Sequence, residues 1–254
     1  MRIALLQARI DEPSRAANMQ HLMDVVDCAA SGEPPPDVLL LPGACDQRGV
    51  RGGGRIAAGH VHAVRTSLAF KAREWGVFLA AGLHLCGNGG AGHAAVLFDP
   101  DGDLAARSDD RRGTSGDDRP PTNDFVYTGA GALTLIDPTF WVGDAAARSD
   151  APGGAVCYLR PLTRCEAESG TGDAPGASAT PGRAYRAAVA AAVGSDAASS
   201  ERPGPSVIVD AERRVVARAE SPAETIVYAD LPIGPTTAAA KETDRSRRPD
   251  TRRA

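Results

Sequence analysis

The chain opens with an apolar run, Ile3 to Ala8, that reads as a strand. A polar segment follows, and then Met19, Leu22, Met23, Val26 and Ala30 recur at helical spacing in "EPSRAANMQHLMDVVDCAA", with Ser14 placed to cap the helix. "SGEPPPD" ends that helix, and Val38 to Leu41 form a second strand that runs into Pro42 and Gly43. Past the loop "RGGGR", residues Val61, Val64, Leu68, Ala72 and Trp75 mark a second amphipathic helix, broken at Gly76, and "VFLAAGL" is a third strand. This β-α-β-α-β order predicts a layered α/β fold. Continuous apolar strands such as "VLLL" suit a sheet covered by helices.

A hairpin pattern then occurs twice. "AAVLFDPDGDLAAR" has an apolar strand, a DPDG turn and a second strand; "PSVIVDAERRVVAR" repeats it about a hundred residues later. Laid together, Asp99 meets Asp210, Leu104 meets Val215 and Arg107 meets Arg218. If these are repeats, each hairpin belongs to one of two similar sheets. Two such sheets, face to face with helices outside, make a four-layer α-β-β-α sandwich.

Composition narrows the partners. Hydrophobic residues are 43% of the chain but aromatics only 4%, so the core is built from small side chains. A net charge of −4 gives no basis for binding nucleic acid or an anionic membrane. No apolar run reaches the roughly 20 residues of a membrane span, and the N-terminus reads as a strand, not a signal peptide. Five cysteines (Cys28, Cys45, Cys86, Cys157, Cys165) are scattered without CxxC, which fits a reduced, cytoplasmic setting. His60 with His62 and His84 with Cys86 are the metal-type pairs. The first diverges on a helix; the second shares a strand face but has no evident partner, so no metal or cofactor is expected. "GNGGAGH" carries no phosphate-loop lysine and reads as a mobile connection. "KETDRSRRPDTRRA" has six basic and three acidic residues and reads as a solvated tail. A single domain over 1–235 and a basic, flexible tail over 236–254 are expected.

In order, "MRIALLQ", the Asn18 helix, "DVLLLPG", "GVFLAAGLH", the first hairpin, "GGAVCY", "GRAYRAAVAAAV" and the second hairpin resemble the nitrilase superfamily of carbon–nitrogen hydrolases. The match is good over 1–110 and 183–232. The resemblance implies the α-β-β-α sandwich, a homodimer, and a small amide or nitrile as ligand. It also implies a cysteine nucleophile, a glutamate acid/base and a lysine that stabilises the tetrahedral intermediate. Cys157 in "GGAVCYLRPL" stands at the cysteine position, without the aspartate that the family pattern places two residues later. The glutamate position, after the proline of the second strand, is Gly43. Counting on from "DPDGDLAAR" puts Asp110 at the lysine position. Asp46, Asp110, Glu166 and Glu168 are substitute acids, and Arg111 and Arg112 substitute cations. Aligned otherwise, "GALTLIDPTFW" becomes the strand after the cysteine, and the nucleophile is absent. The expectation is a carbon–nitrogen hydrolase-like protein with impaired catalysis; the alternative is an active amidase or nitrilase that works through a Cys157 thioester with a relocated acid. Between Cys157 and Arg183, "RCEAESGTGDAPGASATPGR" is rich in Gly, Ser, Ala and Pro and reads as a loop or disordered stretch.

Overall fold

The computed structural model describes residues 1–10, 14–43, 45, 58–87, 90–109, 125–128, 131–135, 156–161, 184–189, 192, 206–210 and 214–233, several strand positions by backbone alone. Two six-stranded sheets are present. The first uses β1 (Arg2–Gln7), β2 (Val38–Leu40), β3 (Phe78–Gly87), β4 (Gly90–Phe98), β5 (Leu104–Asp109) and β12 (Thr225–Asp230), in the order β12-β1-β2-β3-β4-β5. The second uses β6 (Phe125–Thr128), β7 (Gly131–Leu135), β8 (Val156–Pro161), β9 (Ala184–Val189), β10 (Val207–Val209) and β11 (Val215–Arg218), in the order β11-β10-β9-β8-β7-β6.

The sheets have one topology. β1, β2 and β3 are parallel, flanked by antiparallel β12 on one side and the β4–β5 hairpin on the other. β7, β8 and β9 are parallel in the same way, flanked by β6 and the β10–β11 hairpin. β8 is therefore the counterpart of β2. The hairpin correspondence extends to a bulge at the same place, between Leu97 and Phe98 in one and between Ile208 and Val209 in the other. It extends also to the turn, where Asp99 N–H donates to the Asp103 carbonyl at 2.9 Å and Asp210 N–H to the Arg214 carbonyl at 3.0 Å.

Helices α1 (Arg15–Ala30) and α2 (Ala58–Trp75) cross between the parallel strands of the first sheet. Ser14 caps α1, its hydroxyl accepting from Ala17 N–H at 3.1 Å. Leu22, Val26, Leu68 and Ala72 pack on Leu6, Leu39, Leu79 and Val96 to form the helix-side core. Ile3, Leu5, Val38, Leu40, Ala80 and Leu97 point the other way, against Leu133, Leu159, Tyr185 and Ile208 of the second sheet. This is the period-2 division of a strand buried on both faces. The parallel pairs β7–β8 and β8–β9 need crossovers from 136–155 and 162–183. Those residues, with the expected loop over 165–182 and the tail over 236–254, lie outside the described residues.

Three local features depart from the sequence pattern. Trp75 is not core: it is 38% exposed, because its indole N–H reaches Asp27 Oδ1 at 2.8 Å on the helix surface. "GNGGAGH" is not merely a connection: β3 runs to Gly87 and β4 starts at Gly90, since strand pairing offsets the glycines' entropy cost. β6, "FVYT", is a strand the apolar pattern did not mark.

The DPDG turn also fixes α2. Asp99 Oδ1 accepts from Asp101 N–H at 3.0 Å and Asp103 N–H at 2.9 Å, and Gly102 has φ +83°. A Cβ on Gly102 would lie 2.6 Å from the Ala69 carbonyl oxygen of α2. Gly102→Ala is expected to cost about 2–3 kcal/mol from the left-handed backbone and this contact together. Urea denaturation checks it, and a loss under about 0.5 kcal/mol would contradict the close approach.

Candidate functional site

The chain leaves β2 without losing contact with β3. Leu41 N–H donates to the Ala80 carbonyl at 2.8 Å, Gly82 N–H to the Pro42 carbonyl at 3.2 Å, and Cys45 N–H to the Gly82 carbonyl at 3.1 Å. Pro42 has no N–H to give, so its place in this ladder is that of an acceptor alone. Pro42 and Gly43 are buried, and Cys45, 1% exposed, packs into the helix-side core. Gly43 thus sits in a pinned, buried turn at the C-terminal end of a central strand, where binding groups gather in parallel sheets. It has no side chain with which to move a proton.

Cys157 lies on β8, the central strand of the second sheet, paired with Leu133 on one side and Tyr185 on the other. Both of those neighbours belong to the core between the sheets. β8 rests against β2 and β3 across that core. Asp46, Asp110, Arg111, Arg112, Glu166 and Glu168 lie outside the described residues. His62 is exposed on α2.

The buried polar side chains among the described residues are Gln7, Asn18 and Ser206; none is a carboxylate. Gln7 uses its whole amide. Nε2 donates to the Ser221 carbonyl at 2.8 Å and the Ala223 carbonyl at 2.6 Å, while Oε1 accepts from Ser206 N–H at 3.0 Å and Ser206 Oγ at 2.9 Å. This cluster ties the end of β1 to the entries of β10 and β12.

A lysine count gives a further constraint, one the motif reading passed over. The chain has only two lysines, Lys71 and Lys241. Lys71 is on α2, outside the first sheet, with Nζ 2.6 Å from Asp27 and 2.8 Å from Glu74. Burial pulls its pKa down, but hydrogen bonds and charge from Asp27 and Glu74 outweigh this and hold it above the ordinary 10.5. Raised in this way, the ammonium keeps its charge through the neutral range, and its share of the α1–α2 contact is lost as pH rises past the raised value. It is a structural cation, remote from the core between the sheets. Among the described residues no group of three His, Cys, Asp or Glu side chains could hold a metal ion, and no helix is long and apolar enough to cross a membrane.

No protein-family model matches the chain, and no curated protein does. Solved structures do. A cysteine-to-alanine mutant of an amidase from the nitrilase superfamily, from Nesterenkonia sp. AN1, is 21% identical over 97% of this chain and 94% of that one, with a TM-score of 0.62. A cysteine-to-alanine mutant of the Nesterenkonia sp. AN1 amidase in complex with butyramide is 20% identical, covering 98% of this chain and 97% of that one, with a TM-score of 0.62. A glutamate-to-glutamine mutant, showing Michael addition of acrylamide at the active site cysteine, is 21% identical, covering 97% and 99%, with a TM-score of 0.63. The likeness is one of fold: this chain has the α/β fold of the nitrilase-superfamily amidases.

Proposed function

We propose that this chain is a catalytically impaired relative of the nitrilase-superfamily carbon–nitrogen hydrolases, a homodimer of a reducing cytoplasm whose cleft accepts a small amide or nitrile. One observation carries the reading. Gly43 is buried and pinned in the turn after β2, where the resemblance places the glutamate that exchanges protons with the thiol and the leaving amine. The topological match of β8 to β2 supports Cys157 as the nucleophile position, since both strands are central in their sheets. Asp110 is the counterpart of the lysine, and a carboxylate there repels the developing oxyanion instead of stabilising it. With Lys71 held by Asp27 and Glu74, no lysine among the described residues is free to replace it.

Gly43→Glu, Asp110→Lys and the double variant test the assignment through ammonia release from small amides and nitriles. The wild type and both single variants are expected at background. The double variant should rise above them by about a hundredfold, the lower end of what a positioned acid/base contributes. A wild type that is already fast, and that loses its activity in Asp46→Asn, would replace this reading with an active enzyme whose acid has moved within the same loop.

A further inference from the structure

β11 is the last strand of the second sheet, and among the described residues no strand pairs with its outer edge. Proteins often blunt such an edge with lysine or proline. β11, "VVAR", has neither, and its Val215 and Val216 are 54% and 41% exposed. The main chain divides by parity. Ala219 N–H donates to the Ser206 carbonyl at 2.9 Å and Ala217 stands opposite Ile208, so Ala217 and Ala219 turn their main-chain groups toward β10. Val216 and Arg218 alternate with them and turn theirs to the open edge. The register shift opposite Val209 ends at Val216, and from there to Ala219 the strand is regular. Ala217 packs against the core between the sheets and Ala219 is buried, which puts Val216 and Arg218 on the opposite face. Charges of both signs flank the valines. Arg214, tied to Asp210 at 2.7 Å, precedes them, and Glu220, 3.7 Å from Arg218, follows; the side chains of Arg214, Arg218 and Glu220 are all exposed.

We propose that β11 is the surface through which two copies of this chain associate, edge to edge and antiparallel about a two-fold axis. The contact rests on the homodimer proposed above and gives it a location. A two-fold contact must be self-complementary. Main-chain pairing across this edge requires Val216 and Arg218 to face Val216 or Arg218 of the second copy. Val216 opposite Val216 sets Arg214 against Arg218 twice. Arg218 opposite Arg218 brings like charges to the axis and faces each valine with Glu220. Like charges directly opposed destabilise a strand pair. Val216 opposite Arg218 has neither fault. It puts Ala217 against Ala217 on the axis, where only methyl groups meet, and sets Arg214 of each copy across from Glu220 of the other. Each Val216 N–H then donates to an Arg218 carbonyl, and each Arg218 N–H returns the bond to a Val216 carbonyl. The arm of Arg218 covers the facing valine and keeps its guanidinium in water. Arg214 has N–H donors enough to keep Asp210 and reach Glu220. A contact of one short strand suits a dimer that forms and parts with concentration.

The test is sedimentation velocity of the full-length protein from low to high micromolar concentration, with melting curves showing each variant folded. The wild type should pass from monomer toward dimer as concentration rises. Val216→Lys sets a cation on the edge and against Arg218 of the second copy, and should weaken the dimer by about tenfold or more. Glu220→Arg, which opposes like charges at both ends of the contact, should weaken it to a similar extent. Phe70→Lys, at an equally exposed apolar residue on α2, should change nothing. A wild type that stays monomeric throughout overturns the homodimer reading and this contact with it. A dimer that Val216→Lys leaves intact, or that Phe70→Lys weakens as much, overturns the β11 surface and leaves the homodimer reading standing. A dimer weakened by Val216→Lys but not by Glu220→Arg overturns the register.

Discussion

Gln7→Leu is expected to lower the stability of the protein by about 3–5 kcal/mol, because four hydrogen bonds, two buried and two part-buried, lose a partner at once and each costs about 1 kcal/mol or more. Leucine fits the volume, so the loss is not one of packing. The Ser221 and Ala223 carbonyls lose their donor, and Ser206 loses the acceptor for both its N–H and its hydroxyl. Gln7→Glu keeps the shape and separates the two halves of the network. A carboxylate still accepts from Ser206, but it cannot donate to the two carbonyls and it adds a buried charge. It should be at least as damaging as leucine at neutral pH. Equilibrium urea unfolding measures both. A Gln7→Leu loss below about 1 kcal/mol would show that the cluster contributes no more than an exposed hydrogen bond.

Much of the frame was legible because its signals are local. Ser14 capped the helix it preceded, Leu22, Val26, Leu68 and Ala72 faced the core at helical spacing, and the DPDG turn folded on its own aspartate. The repeated hairpin pointed to paired sheets, and even its bulge is repeated. What stayed hidden depends on distant partners. Nothing near Gln7 announces acceptors and donors about two hundred residues away. Trp75 has the period of a core residue, but an aspartate on another helix draws its indole to the surface. That His84 and His93 are paired across β3 and β4 is likewise set by register and not by local pattern. The candidate site was legible only as a departure. A glycine after a strand is an ordinary turn residue, and the family pattern gives its missing side chain meaning.

The central claim is that chemistry at Cys157 is not supported by the residues around it. A positioned acid/base contributes about 10²–10⁴ to such a reaction, and an oxyanion donor about 10²–10³. The members of a catalytic unit do not act independently, so losing one forfeits most of the rate, often about 10⁴-fold or more. On the proposed assignment, glycine at position 43 would leave the thiol without its base and the leaving amine without its acid. On the same proposed assignment, aspartate at position 110 would set a negative charge against the tetrahedral oxyanion. The direct measurement is ammonia release from a small aliphatic amide by the purified wild type beside Cys157→Ala, at equal concentration and with melting curves showing both folded. The account predicts the same background rate for the two. A wild type faster than Cys157→Ala by about a thousandfold or more would contradict it, because that is the rate an intact unit supplies.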